Sequence, residues 1–236
     1  MDQLSPAVSV LFILTTFVTV GILLHGAKKV GIDTLPTRIL VFVLPLWILF
    51  QGMLATGGFY ANTASERPHL LIFGVGPAFL FSIFFVLGFR GSFIQRLPLT
   101  FLIGVHIVRI PVEIVLYLLY ERGLVPREMT FVGYNFDIAT GILAVLLFVA
   151  YKRTKNLDRR VLWAFNLVGL LLLGMIVVTA VLSLPGPTNA LNVDKPNIGV
   201  LLFPYVWLPT MIVPIVLFAH LASLTQLIVS KENGGR

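Results

Sequence analysis

Three ionisable side chains stand at helical spacing inside an apolar run: His106, Arg109 and Glu113, within Gly104-Val105-His106-Ile107-Val108-Arg109-Ile110-Pro111-Val112-Glu113. An α-helix turns about 100° per residue, so with His106 at zero Arg109 falls at about −60°, Glu113 at about −20°, Tyr117 at about +20° and Tyr120 at about −40°. The polar side chains of the stretch therefore share one face, and Ile, Val and Leu fill the others. An arginine in this setting can neutralise an anionic group. A carboxylate beside an imidazole can exchange protons near neutral pH. An arginine or aspartate at a bilayer centre costs about 2.5–3.5 kcal/mol on insertion scales, so the face is expected to turn toward a bundle interior or a wet cavity. Glu113, one turn away, is the expected partner of Arg109. Pairing lowers the cost without removing it, because both ions are desolvated. Pro111 frees the carbonyl of Ile107 and could kink the helix there. The stripe reads either as a structural ion pair that locks this helix or as a ligand or proton site.

Other apolar runs offer partners. The last one carries His220, Ser223, Thr225 and Gln226. His220 is expected at a depth similar to His106, with Tyr205 and Ser223 on its face, although Pro204, Pro209 and Pro214 make that phase uncertain. Gln51 should lie level with Glu113, either bonding the ion pair or acting as interhelical glue. Asp137 either points inward beside Arg109 and Glu113 or, with Asn135, caps the helix that follows. The candidate ligand- or proton-binding set is thus His106, Arg109, Glu113, Gln51, His220, Tyr117 and Asp137, with no catalytic residue assigned. His106, His220 and Glu113 are metal-ligand types, but no His-Glu-x-x-His or similar spacing supports a metal. No metal and no other cofactor is expected. His25 and His69 fall at span ends, where an interfacial position accounts for them. Asp194, Lys195 and Asn197 read as solvated loop residues rather than the mouth of a site.

The elements that must position these groups follow from composition. The chain has 236 residues, 58% of them hydrophobic and only 11% charged, with a mean hydropathy of +0.97. Soluble domains carry about 25% charged residues. The deficit excludes an ordinary soluble enzyme, a disordered protein and a nucleic-acid reader, and makes the lipid bilayer the expected solvent. The net charge of +7 and pI near 10.0 come from bases in short loops, so no basic face exists to track nucleic acid. Without cysteine, disulfides, thiolate nucleophiles and cysteine-bound metal are excluded.

The fold expected is an all-α integral membrane protein, a single seven-helix transmembrane domain over 1–236 with spans at about 6–25, 39–58, 69–89, 98–120, 137–151, 161–184 and 198–229. The first run lacks a basic n-region and reads as a retained span rather than a cleaved signal. The fifth span is short and the seventh long. Turns are expected at Ser65-Glu66-Arg67-Pro68 and Leu184-Pro185-Gly186-Pro187. Lys28, Lys29, Arg38, Arg90, Arg96, Lys152, Arg153, Lys155, Arg159, Arg160, Lys231 and Arg236 fall on one side, against Arg67, Arg122, Arg127 and Lys195 on the other. That asymmetry predicts an outside N-terminus and a cytoplasmic C-terminus. Three spans, one, then three would permit a parallel-repeat transporter, but spans 1–3 and 5–7 show no convincing residue match.

The run His106-x-x-Arg109-Ile110-Pro111-Val112-Glu113, with Asn135-Phe136-Asp137, Pro196-Asn197-Ile198 and Trp207-Leu208-Pro209, resembles a family of uncharacterised bacterial multi-pass membrane proteins with seven helices. The resemblance covers spans four to seven. It implies a bacterial inner (plasma) membrane and transfers no activity. A retinal protein would need a lysine in span seven, and every lysine here lies in a loop. Three functions compete. One is a small transporter or a ligand or proton sensor handling a small molecule or ion. Another is a structural or assembly subunit whose stripe binds a partner membrane protein or a second copy. The third is an intramembrane enzyme on a lipid-like substrate, which no nucleophile motif or phosphate loop supports.

Overall fold

The structure, a computed structural model, describes residues 6–61, 68–186, 189–191 and 193–234. Ser65, Glu66 and Arg67 of the first expected turn, Pro187 of the second, Arg236 and the Lys231 side chain lie outside what is described. The described residues form helices and no strand: α1 (Pro6–Val30), α2 (Leu35–Thr56), α3 (Gly76–Gly88), α4 (Leu99–Gly104), α5 (Arg109–Glu121), α6 (Asp137–Thr154), α7 (Arg159–Leu182) and α8 (Val213–Gly234). A π-helical turn, Leu71–Val75, leads into α3, and another, Leu208–Ile212, leads into α8. A 3-10 turn, Val105–Val108, joins α4 to α5.

Each of the seven apolar segments contains a helix. Six helices are long and apolar enough to cross a membrane: Pro6–Val30, Leu35–Thr56, Leu71–Gly88, Leu99–Glu121, Arg159–Leu182 and Leu208–Val229. α6 is 18 residues long but carries Asp137, Lys152 and Arg153 at its ends. The 198–229 segment is longer than its helix. Residues before Leu208 form a 3-10 turn, Gly199–Leu201, and tight turns that settle against the rest of the bundle.

Local chemistry sets the helix ends. Lys28 and Lys29 occupy the last turn of α1, where cations suit the dipole, and Arg96 Nη2 donates to its final Val30 carbonyl at 2.8 Å. Asp158 caps α7 by accepting the Arg160 N–H at 2.7 Å. Lys155 ends α6 in the left-handed region at φ 57°, its N–H returning to the Tyr151 carbonyl.

Burial identifies the centre. The most apolar stretch of Leu99–Glu121 is 67% buried and that of Leu208–Val229 56%, against 22–33% for the other four long helices. The α4–α5 rod and α8 therefore form the axis. The outer helices turn Phe42, Leu49, Phe84 and Leu171 outward. A surface of this kind fits hydrocarbon, not water.

Two prolines organise the contacts between helices. Pro77 has no N–H to give the Phe73 carbonyl one turn back, and Gln51 Nε2 takes that acceptor at 2.9 Å. Pro214 likewise leaves the Thr210 carbonyl free, and the Trp47 indole donates to it at 2.9 Å. Each proline follows one of the π-helical turns, as expected where a helix ladder is interrupted. Ser82 Oγ then bonds the Pro214 carbonyl at 3.1 Å, joining α3 to α8.

Trp47→Phe should leave the Thr210 carbonyl unpaired in an apolar setting and destabilise the protein by about 1–3 kcal/mol. Adding Pro214→Ala returns an N–H to that carbonyl and should recover part of the loss, read as thermal midpoints in detergent for the two single variants and the double.

Candidate functional site: a buried charged cluster

The α4–α5 rod carries the cluster. His106 sits in the 3-10 turn and Arg109 opens α5, one helical turn before Glu113. All three are buried, with relative exposures of 0%, 2% and 1%. Their neighbours come from α6, α7 and α8.

Arg109 forms its ion pair with Asp137 at the start of α6. The expected Arg109–Glu113 pair is therefore replaced. The guanidinium reaches across to a carboxylate on the next helix, and Glu113 is bonded elsewhere. Its Oε1 accepts from Asn135 Nδ2 at 2.5 Å, while Oε2 is buried with no hydrogen-bond partner. Asn135 holds both carboxylates in place, because its Oδ1 accepts the Asp137 backbone N–H at 3.0 Å and its Nδ2 also reaches the Met129 carbonyl at 3.0 Å. The two roles weighed for this region thus fall to different residues. Asn135 meets a backbone donor at the head of α6, and the Asp137 side chain turns inward.

Arg109 Nη2 also lies 2.8 Å from His220 Nε2. A guanidinium only donates, so Nε2 is the acceptor and the proton sits on Nδ1. Nδ1 in turn meets Asn166 Oδ1 at 2.9 Å, and Asn166 Nδ2 donates to the Leu162 carbonyl at 2.7 Å and to Ser223 Oγ at 2.9 Å. One charge on α5 therefore fixes the tautomer of a histidine on α8 and the amide orientation of an asparagine on α7. His106 stacks on His220 with centroids 4.0 Å apart and meets Phe165 edge-on at 5.2 Å. Among the described residues neither ring nitrogen of His106 has a well-aligned partner, though the Leu102 carbonyl one turn back lies within its influence.

Two glycines make the approach possible. A Cβ at Gly169 would stand 2.6 Å from His220 Nε2 and 3.2 Å from Thr140 Cγ2. A Cβ at Gly141 would stand 2.8 Å from Ile110 Cγ1 and 3.3 Å from Arg109 Cβ. Both distances to the ring and to Ile110 are closer than van der Waals contact allows, so α6 and α7 can lie this near only with hydrogen at these positions.

Beside the cluster lies a cavity of about 60 Å³. Glu113 and Asp137 line its floor. Leu71 and Val75 from the α3 side and Leu173 and Val177 from α7 form its walls. A water needs roughly 10–15 Å³ by this kind of measure, so the space has room for a few waters, with polar partners only where Glu113, Asp137 and Asn197 line it. Pockets for organic ligands run to about 300–1,000 Å³.

Of the seven candidate residues, five converge: His106, Arg109, Glu113, Asp137 and His220. Gln51 does not join them. It is held at the α2–α3 joint by the Phe73 carbonyl and by Tyr60, whose hydroxyl donates to Gln51 Oε1 at 2.5 Å. Burial pushes the Tyr60 phenol up to about 12, so it remains a donor there. Tyr117 is half-buried and stacks on Phe131 with centroids 5.1 Å apart, beyond the cluster. Among the described residues no three His, Asp or Glu side chains group as a metal site, and Arg109 already occupies His220 Nε2. Asn166, Gly141 and Gly169 were not singled out from the sequence. The signal for Asn166 was present, as an amide inside the apolar run of α7 with Gly169 three residues on. The glycines became legible only once the neighbouring helices were known.

A family model described as a domain of unknown function, DUF8737, matches residues 60–228. The chain belongs to that family. The DUF8737 match fits the resemblance to an uncharacterised family and begins upstream of it, before α3. Every residue of the charged cluster falls inside it, and α1 and α2 precede it. No curated protein and no solved structure gave a significant match.

Asp137→Asn should cost about 3–5 kcal/mol, because it strips the partner from a buried guanidinium. Glu113→Gln keeps the acceptor for Asn135 and should cost much less. Thermal midpoints would separate them, and near-equal losses would return Arg109 to Glu113 as its partner.

Proposed function

We propose that the chain is a seven-span membrane protein whose central cluster binds and releases a proton, as the working site of a small transporter or a proton sensor in a bacterial inner membrane. The N-terminus is outside and the C-terminus cytoplasmic. Support for counting α6 as a span, the fifth in order, comes from where its charges sit. Asp137 is drawn inward by Arg109, and Lys152 and Arg153 stand at the opposite end, where long basic side chains snorkel to the interface. The uneven distribution of lysine and arginine between the two sets of loops supports the orientation. The bacterial membrane rests on the resemblance carried by the His106–Glu113 run and the segments after it.

The single observation that carries the functional reading is Glu113. One guanidinium faces two carboxylates, and Asp137 already holds it. The remaining carboxylate is buried with one oxygen unbonded beside a space sized for water. Such a site accepts one further positive charge, and the space selects a proton or a very small cation over an organic ligand. Irregular helices add weight to transport. The rod tightens to a 3-10 turn at His106 and the helix facing it begins with a π-helical turn, irregularities of the kind found where membrane helices line a site. The assembly-subunit reading gains nothing from the stripe, since this chain's own helices cover it.

Infrared titration of the purified protein against pH tests the site. A carboxylic-acid carbonyl band that appears and vanishes with pH in the native protein should be missing in Glu113→Gln. The same titrating band in both proteins would end the reading. Topology is tested on the cysteine-free chain by single replacements. A membrane-impermeant thiol reagent applied to intact cells should label Arg122→Cys and spare Asn156→Cys until the membrane is opened.

A further inference from the structure

A second, larger cavity lies away from the cluster. It is a groove of about 760 Å³ between α1 and α6, with α4 as its floor. Both helices pack on α4 and on the 3-10 turn after it. Gly21 leaves open space on the groove side, while Gly26 and Gly104 let the Phe101 and Phe148 rings close against α1 and α4. Gly21 and Gly26 face it from α1 and Gly104 from α4, and a Cβ at Gly21 would meet nothing within 4 Å. Phe101, Ile107 and Phe148 make its apolar bed.

One end of the groove is different. His25, Lys29 and Lys152 stand there, on the last turns of α1 and α6. Both lysines are exposed, and among the described residues neither pairs with a carboxylate. The Lys152 ammonium lies 5.5 Å from the centroid of the Phe148 ring, which keeps it over the groove. The neighbouring charges on this end are again basic: Lys28, Arg153 and Lys155. Of the acids there, Asp33 is paired with Arg38 and Asp158 caps α7.

An apolar trough ending in two unpaired ammonium groups at helix ends matches a phospholipid in both shape and charge. An acyl chain fits the trough, and a phosphate fits the rim. Basic pockets between membrane helices take anionic headgroups for this reason. A zwitterionic lipid brings its own cation to the rim and loses that advantage. We propose that the α1–α6 groove seats one anionic phospholipid, with its phosphate between Lys29 and Lys152 and an acyl chain along the Gly21–Ile107 bed. The inference rests on membrane placement and is independent of a proton at Glu113.

Native mass spectrometry tests it on the full chain, released from nanodiscs of phosphatidylglycerol or of phosphatidylcholine. One retained phosphatidylglycerol per chain is expected, with phosphatidylcholine lost under the same activation. The double variant Lys29→Gln with Lys152→Gln should weaken retention by about fivefold or more per lysine. Gly21→Phe, whose Cβ enters open space and whose ring fills the trough, should abolish retention with both lysines intact. Lys155→Gln, outside the groove, should leave it unchanged. A thermal midpoint within a few degrees of the native value confirms that each variant is folded. Equal retention of the two lipids, full retention in either groove variant, or an equal loss in Lys155→Gln would overturn the proposal. So would a dimer of the native chain that Gly21→Phe dissociates, since a second copy would then be the occupant.

Discussion

The Arg109 guanidinium is the constraint on which the rest of the architecture depends. A charge that deep cannot be left unpaired, and here three neighbouring helices contribute to its surroundings. Asp137 brings the head of α6, the Gly169 carbonyl lies 3.4 Å from Nη2 on α7, and His220 brings α8. Orientation then propagates outward. The guanidinium dictates which nitrogen of His220 accepts, His220 dictates how the Asn166 amide lies, and Asn166 reaches Ser223. Interhelical hydrogen bonds within membranes average about 0.6 kcal/mol each. Such a chain therefore defines angle and depth among helices more than it adds stability. Gly141 and Gly169 belong to the same constraint, since a Cβ at either would strike the residues around the guanidinium, Ile110 and His220.

A second set of constraints lies at the other side of α8 and follows from proline. Proline in a helix deletes one donor and exposes one carbonyl, and in an apolar medium that carbonyl must find another partner. Pro77 and Pro214 do this at facing positions on α3 and α8. An amide from Gln51 and an indole from Trp47, both on α2, complete the two ladders. Trp207 returns the favour by donating to the Ile48 carbonyl at 2.9 Å. α2 is thereby fixed to α3 and α8 by exchanged donors rather than by charge. The two kinds of fastening meet along the axis formed by the rod and α8.

Much of this was legible in the sequence, and the boundary has physical causes. Seven apolar segments are readable because lipid demands length and hydropathy, and each contains a helix. The depth of Arg109 is readable because rise per residue is fixed. Direction across the bundle is not. Periodicity says that His106, Arg109 and Glu113 share a face, but not which neighbour lies against it, so the partner one turn away stood in for Asp137 on α6. Gln51 lies on a face claimed by the Phe73 carbonyl, which only the packing of α2 against the turn before α3 could show. Tyr117 continues the stripe in angle, yet in height it has left the charged layer and lies against Phe131. The glycines carry no chemistry of their own, and their meaning depends on a ring and a guanidinium from other helices.

Charge counting separates a lock from a working site. A structural clamp on a buried guanidinium needs one carboxylate, and Asp137 with the His220 and Gly169 acceptors serves both terminal nitrogens of Arg109, while its Nε has no partner among the described residues. Glu113 adds a second acid to the same low-dielectric layer, where each further ion carries a desolvation cost of several kcal/mol. Asn135 offers it one donor, its other oxygen has no hydrogen-bond partner, and Glu113 lines the small cavity. A residue that served packing alone would be better replaced by glutamine or leucine, either of which avoids the second charge. On the function proposed above, that carboxyl changes partner, and the partner that fits a small space beside an already neutralised arginine is a proton.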